Sequence, residues 1–446
     1  MQCVDQIDAI AQQHQINQMG TIYSSSQVTI VAAAGLEESY SDATYGLPGI
    51  TDDFRTPSSC AVTDRIRLVH TRWTRLVSIK LSNWYSRGWT FQEGYLSRRR
   101  MYFTDVGVDY ICDNDRGSEA AIGLAGTLRS PVKAPLFDFK EQMMHEYTRR
   151  RLTYSYDALK AIIGALESEE SDDHIWGVFV VRYHPNLYMF LHWRHSSPVP
   201  RRKQFPSWSP IGWHGPVDYP YRVDYPFRKD PCISKECTVE VWCNGEYKPL
   251  EQGFGKLSQQ HHLPGAEQSK FLRVTTKIVT VEFVSLRGKA MYPREGLHAK
   301  IPYGEALDVF LFAFWDTEEE PVCRSDKGGI YLPCAVIVRR PDTQRGQGDS
   351  TRFEDESQIL ILRQHDTHYE RIGYFAWDLI EYIRHDPGDP GDDDFSQDPY
   401  LLPATMHALD KQGKRAQIPI LDEDLCSHGD GRYWLKDGVE TTFLLG

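Results

Sequence analysis

The chain predicts an α/β layer followed by a β-rich half, and three observations carry that expectation. Helical and strand-like patterns alternate over residues 1–115, which is the signature of helices layered on a sheet. Residues 28–34 form a nearly continuous apolar run, Val28-Thr29-Ile30-Val31-Ala32-Ala33-Ala34, that stops at Gly35. A strand buried on both faces, as in a parallel sheet, reads this way. Beyond about residue 235, strand-like runs follow one another with few helical periods between them. The expected division is therefore an α/β part at 1–115, a helical and aromatic part at 116–230, and a β-rich part at 231–446.

Within the first part, residues 5–24 place Ile7, Ile10, Ile16, Met19 and Tyr23 at helical spacing among Gln, Asn and His. The buried strand follows, then a loop with Tyr45-Gly46-Leu47-Pro48-Gly49, then apolar segments near 66–70 and 76–81. A short helix at 87–97 feeds two strands at 99–104 and 107–112. Thr104-Asp105-Val106-Gly107 makes them a hairpin.

Two helices are expected at 137–150 and 156–168, with Thr153-Tyr154-Ser155-Tyr156-Asp157 supplying polar caps between them. An aromatic stretch comes next: Trp176, Phe179, Tyr183, Phe190, Trp193, Phe205, Trp208 and Trp213. Broken by Pro and Gly, it fits a packed segment in a core or interface better than a platform for stacking ligands. In the last part the expected strands are 238–243, 272–285, 306–314, 330–339, 357–363 and 369–377, forming an antiparallel module. An acidic, Pro- and Gly-rich stretch near 386–398 reads as a solvated loop; its oxygens lack the regular spacing of a calcium loop.

Composition excludes several classes of function. Hydrophobic residues make up 41% and aromatics 12%, too many for a disordered chain. No apolar run reaches the roughly 18 residues of a membrane span, and the first residues lack the basic and apolar blocks of a signal peptide. Nine cysteines without a secretory leader predict reduced thiols and a cytoplasmic protein. A formal net charge of −12 disfavours nucleic acid as a partner. The runs Arg98-Arg99-Arg100 and Arg149-Arg150-Arg151 are expected to be solvated or salt-bridged. Cys232, Cys237 and Cys243 lack the short paired spacing of a zinc knuckle, and His261-His262 has no matching pair nearby, so no metal is expected. There is neither a Gly-rich phosphate loop nor a G-x-S-x-G elbow.

The most chemically suggestive stretch runs from Arg87 to Phe103. On its helix Trp89 and Glu93 lie four residues apart and share a face with Leu96. A carboxylate on an apolar face has its pKa raised by burial, which makes Glu93 a candidate acid, base or hydroxyl-binding group. The alternative is a structural carboxylate paired with an arginine of the run at 98–100.

Several motifs in order resemble the fungal heterokaryon-incompatibility (HET) domain. They are Cys3-Val4-Asp5-Gln6, Gln15-Ile16-Asn17-Gln18-Met19, Ile22-Tyr23, the strand at 28–34 with Gly35, and Tyr45-Gly46-Leu47-Pro48-Gly49. Arg87-Gly88-Trp89-Thr90-Phe91-Gln92-Glu93 with Leu96-Ser97-Arg98-Arg99 is the most specific of them. Further motifs at 147–159, Trp176-Gly177 and Phe205-Pro206-Ser207-Trp208-Ser209 with Gly212-Trp213 resemble the extension found in many such proteins. The resemblance implies a fungal nonself-recognition protein that triggers growth arrest or programmed cell death. Its partners would be other proteins, allelic recognition partners or further copies of itself.

HET domains are in turn similar to TIR domains, which are flavodoxin-like α/β folds. In catalytic TIR domains a Trp is followed four residues later by a Glu that supports cleavage of NAD. The resemblance thus implies Glu93 as the catalytic residue, Trp89 in support, and NAD as substrate. A carboxylate there would bind ribose hydroxyls and stabilise an oxocarbenium-like state. The family domain ordinarily begins upstream of the stretch matching Cys3 to Gln6. The resemblance therefore also implies an incomplete domain lacking its first strand and part of the nucleotide pocket, through a truncated gene model or through degeneration.

Overall fold

The first helix, α1 (Ala9–Ser25), opens where Asp8 accepts the Ala11 amide at 3.1 Å, a side-chain N-cap. It closes in serines: the hydroxyls of Ser24 and Ser25 turn back onto the Thr21 carbonyl at 3.2 and 2.6 Å, competing with further helical bonding. The computed structural model describes residues 8–34, 60–62, 67–69, 79–104, 107–112, 116–118, 140–168, 174–179, 191, 193–219, 237–243, 245–250, 267–285, 297–303, 307–317, 330–340, 356–378, 407–410, 415–416 and 438–446. The expected loop at 45–49, the acidic stretch at 386–398, Cys232 and His261-His262 lie outside the described residues. The chain forms two compact units, residues 1–179 and 180–446. The boundary falls inside the stretch expected at 116–230, so residues 193–219 belong to the unit of the β-rich half.

In the first unit β1 (Thr29–Ala32) lies beside β4 (Arg99–Thr104) in parallel, with Thr29 opposite Arg100 and Ala32 opposite Phe103. β4 turns directly into β5 (Gly107–Cys112), and β6 (Arg116–Ser118) extends the sheet. The hairpin falls on the predicted residues, and its burial alternates along both strands as a half-buried sheet requires. Separate two-stranded pieces are β2 (Cys60–Val62) with β3 (Arg67–Val69), and β7 (His174–Ile175) with β8 (Val178–Phe179). Between β1 and β4 come α2 (Asn83–Ser86) and α3 (Thr90–Leu96), and a core of Val31, Ala33, Ile79, Trp84, Tyr102 and Ile111 fills the space beside the sheet.

The helix expected at 137–150 is α4 (Lys140–Thr148). The one expected at 156–168 does not form as a single helix. A 3-10 turn at Ser155–Asp157 leads through irregular turns to the short α5 (Ile163–Leu166). Side chains capture the carbonyls that a continuous helix needs: the Tyr147 hydroxyl donates to Ala158 and the Gln92 amide to Lys160. The Ile162 amide consequently bonds to Leu159, not Ala158. Gly164 also sits so close to Gly20 of α1 that an added Cβ would lie 2.8 Å from its Cα.

Both arginine runs depart from expectation at their middle or last member. Arg98, Arg99, Arg149 and Arg151 are exposed, but Arg100 and Arg150 are buried. Arg100 donates to the Gly94 carbonyl, and the Arg150 guanidinium lies 4.4 Å over Tyr85 and 4.9 Å over Phe91. Cation–π contact and carbonyl acceptors replace the water these groups lose.

The second unit is the expected β-rich module, antiparallel except where Tyr369 pairs with Leu445 in parallel. It opens with β9 (Arg194–His195) paired to β10 (Val217–Asp218), followed by the hairpin of β11 (Thr238–Cys243) and β12 (Glu246–Pro249). The long β13 (Leu272–Ser285) organises the rest. It is joined by β14 (Leu297–Tyr303), β15 (Leu307–Phe312), β16 (Phe314–Trp315), β17 (Ile330–Arg340), β18 (Glu356–Gln364) and β19 (Tyr369–Asp378). Last come β20 (His407–Asp410), β21 (Arg415–Ala416) and β22 (Val439–Leu445).

β13 pairs with β17, β17 with β18, β18 with β19, β19 with β22, and β22 with β13 again, so these five strands close into a ring. Bulges at Val336/Val338 and Ile361/Leu362 supply the curvature that closure demands. Val279, Val281 and Phe283 meet Leu332, Cys334, Val336, Ile359, Ile361, Ile372 and Phe375 in its core. The six predicted segments fall on β11, β13, β15 with β16, β17, β18 and β19; β9, β10, β12, β14, β20, β21 and β22 were not among them, being short or lacking clean alternation.

The aromatic stretch is core in this unit. Trp193, Trp208 and Trp213 are fully buried, and each indole N–H finds a carbonyl: Trp208 at 3.1 Å, Lys270 at 2.9 Å and Ser207 at 2.9 Å respectively. Beside them lies a buried ionic group that no sequence pattern announced. Asp316 bridges His195 Nδ1 at 2.8 Å and Arg371 Nε at 2.8 Å, and the Arg371 guanidinium stacks 3.4 Å over Trp193.

Candidate functional site

Glu93 is positioned by three short pieces of chain. Ser82 caps α2 by accepting the Tyr85 amide at 3.1 Å. Thr90 then ties α2 to α3, donating to the Trp84 carbonyl and, at 2.8 Å, to the Arg87 carbonyl. This brings the Trp84 ring across the flank of α3. Gly94 is what permits the approach: a Cβ there would lie 2.8 Å from the far edge of the indole. The Trp84 indole N–H consequently donates to Glu93 Oε2 at 2.8 Å, while its ring meets Tyr102 edge-on at 5.5 Å.

The Tyr23 hydroxyl of α1 is also hydrogen-bonded to Glu93. Burial raises the carboxyl above its ordinary value, and the Trp84 and Tyr23 hydrogen bonds, then Arg87 and Arg150, pull it back in part. Burial and the neighbouring carboxylate push the Tyr23 hydroxyl up in turn. The cations acting on Glu93 are thus Arg87 and Arg150. The run at 98–100, expected to supply a partner, spends Arg100 on the Gly94 carbonyl instead.

Trp89 occupies the N-cap of α3, and its indole N–H reaches Asp157 Oδ2 at 3.3 Å. The i, i+4 spacing of Trp89 and Glu93 therefore does not put the two polar groups together. Trp84 and Tyr23 are the residues that sequence reasoning missed as neighbours of Glu93. Tyr23 stood in the apolar pattern of the first helix, and no local period links 84 to 93 across a turn.

Chemically, the arrangement is a carboxylate with a raised pKa held by two neutral donors and flanked by two cations. It can accept hydrogen bonds from hydroxyls or hold a proton. Among the described residues no group of three or more His, Cys, Asp or Glu is placed to hold a metal ion. Cys237 and Cys334 are buried thiols, and burial pushes Cys237 up to about 12. Among the described residues no helix is long and apolar enough to cross a membrane.

A parallel strand pair, two intervening helices and a carboxylate clasped between them define a small α/β module. Residues 1–93, a stretch that includes Glu93, match the family model described as heterokaryon incompatibility protein (HET). No curated protein and no solved structure matches the chain. At the level of the family, this match supports a heterokaryon-incompatibility-related role.

Proposed function

We propose that this chain is a fungal nonself-recognition protein, an effector of programmed cell death that acts through protein contacts and not through chemistry at Glu93. The observation that supports this reading is the engagement of the Glu93 carboxylate, within the segment that matches the HET family model, by Trp84, at 2.8 Å, and by Tyr23. A carboxylate held by two internal donors ties α1, α2 and α3 together and leaves fewer lone pairs for a substrate. Expression of the chain in a filamentous fungus should arrest growth or kill cells, and Glu93→Gln, which keeps an acceptor oxygen, should retain that effect. Full viability on expression of the folded protein would overturn the reading.

A second reading is supported by the raised pKa of Glu93 and by the parallel pairing of β1 with β4. In it the segment is a TIR-like NAD nucleosidase, with Glu93 binding the ribose hydroxyls and stabilising the developing cation as nicotinamide leaves. Trp89 would then support the site through its bond to Asp157. NAD consumption by the purified protein, measured beside Glu93→Ala, decides the matter. Turnover at background level by both proteins removes the enzymatic reading.

A further inference from the structure

We propose that α1 is a displaceable cover on Glu93, with the Tyr23 hydroxyl standing where the hydroxyl of a ligand would bind. The three helices around the carboxylate are held unequally. α2 and α3 are anchored in the unit: Trp84 is 8% exposed, Phe91 1% and Gln92 0%. Thr90 ties the two helices through the Trp84 and Arg87 carbonyls, and α3 leads through Ser97 and Arg98 into β4. In α1, by contrast, none of the described side chains is buried. Ile16, Met19 and Tyr23 are half-buried, and Ile22 is 52% exposed. Elements with few buried apolar groups occupy the low end of local stability and open before the rest.

The seat of α1 is shallow. Gly20 meets Gly164 of α5 backbone to backbone, and a Cβ added at Gly20 would lie 3.1 Å from the Gly164 Cα. That approach brings two helices close but sinks no side chain into a hole. At the other end the chain is pinned: Ser26 is hydrogen-bonded to Thr29 Oγ1 at 3.1 Å, and Thr29 to Ser97 Oγ at 2.7 Å. Gln27 and Val28, between helix and strand, are exposed, so the joint on which α1 would swing lies at the surface.

Of the two donors on Glu93, Trp84 is fixed. Its ring meets Tyr102 edge-on at 5.5 Å and lies against Gly94. Tyr23 leaves when α1 leaves. A phenol O–H on a carboxylate is the same hydrogen bond that an alcohol of a sugar or polyol would make. Its departure frees acceptor capacity beside a fixed indole donor, with Arg87 and Arg150 acting on the same group. The covered form is thereby closed to hydroxyl ligands, and such a ligand would draw the population toward the open form. Access to Glu93 is a property of the fold under either functional reading above, so this assignment rests on neither.

The test uses the full chain. Amide hydrogen exchange is followed by mass spectrometry, and access to Glu93 by coupling glycinamide to it with a water-soluble carbodiimide. In wild type the α1 amides should exchange roughly tenfold or more faster than those of α3 and β4. Tyr23→Phe removes one hydrogen bond and should speed both α1 exchange and Glu93 coupling roughly fivefold. Gly20→Val leaves the Tyr23 hydroxyl in place but crowds Gly164, and should speed both roughly tenfold or more. Exchange in β4 and β5 should stay unchanged, which also establishes that each variant is folded. Wild-type α1 exchanging no faster than α3, Glu93 coupling unmoved in the folded variants, or Tyr23→Phe accelerating β4 as much as α1 would each overturn the proposal.

Discussion

The Trp84 indole N–H and the Glu93 carboxylate meet at 2.8 Å because Gly94 lets the indole lie against α3. This contact fastens α2 to α3 through Glu93, and Tyr23 brings in α1. Removing the carboxylate with Glu93→Ala leaves the Trp84 and Tyr23 donors without their acceptor. The expected cost is about 1–3 kcal/mol for groups so stranded. Glu93→Gln, which retains one acceptor oxygen, should cost less. Urea unfolding followed by tryptophan fluorescence measures both, with a separate transition expected for each unit.

The pH dependence of that fastening has a definite sign. The folded-state pKa of Glu93 is raised by burial, so the folded form holds its proton more firmly than the unfolded chain, where a Glu titrates near about 4.3. The contribution of the group is therefore fully present below that value and is lost as pH rises through the folded pKa. Stability of the first unit relative to Glu93→Gln should rise as pH is lowered from 7 toward the ordinary Glu range. A constant difference across that range would show that Glu93 titrates as it does in the unfolded chain.

Asp316 has the opposite sign. Burial alone would raise it, but Arg371 and His195 together hold its carboxyl below the usual range. Its contribution is present above about 3.9, the unfolded value, and lost only as pH falls through the folded pKa. Asp316→Ala strands a fully buried Arg371 and should cost about 3–5 kcal/mol. The readout is loss of the near-ultraviolet signal of Trp193 and Trp213 at a lower temperature than in wild type.

Ser207 joins three pieces of the second unit. Its hydroxyl accepts the Arg371 amide at 2.8 Å and donates to the Gly446 carbonyl, which also receives the Ser207 amide at 3.1 Å. Ser207→Ala should expose these groups at a cost of about 1–3 kcal/mol. Hydrogen exchange should accelerate at the Arg371 amide and along β22 before it does so in β17 or β18.

Gly164→Ala places a methyl group 2.2 Å from Gln92 Oε1 and 2.8 Å from the Gly20 Cα. Backbone on one side and a fully buried amide on the other leave little room to give. The expected loss is about 1–3 kcal/mol in the first unit, read as a lower thermal midpoint with the transition of the second unit unchanged.

Local patterns made much of the architecture legible. The hairpin of β4 and β5 and the long β13 fall on their expected residues because alternation of apolar and polar residues is set within each strand. The helix expected at 156–168 failed for a non-local reason. Its own residues favour a helix, but the hydroxyl of Tyr147 and the amide of Gln92, distant in sequence, take its carbonyls. The neighbours of Glu93 were illegible for the same kind of reason: Trp84 reaches it across a turn and Tyr23 from another helix.

The sequence by itself determined the mixed α/β character with a β-rich second half, the positions of the long strands and the match of residues 1–93 to the HET family model. Each of these is written in short-range periodicity or in a run of adjacent residues. Tertiary structure alone decided which indole Glu93 holds, that Trp89 serves Asp157 instead, that Arg100 and Arg150 are buried while their neighbours are not, and that β22 returns to close the ring on β13. Hydrogen bonds and charge pairs form between whatever groups the packed chain brings within reach, and spacing along the sequence does not encode that distance.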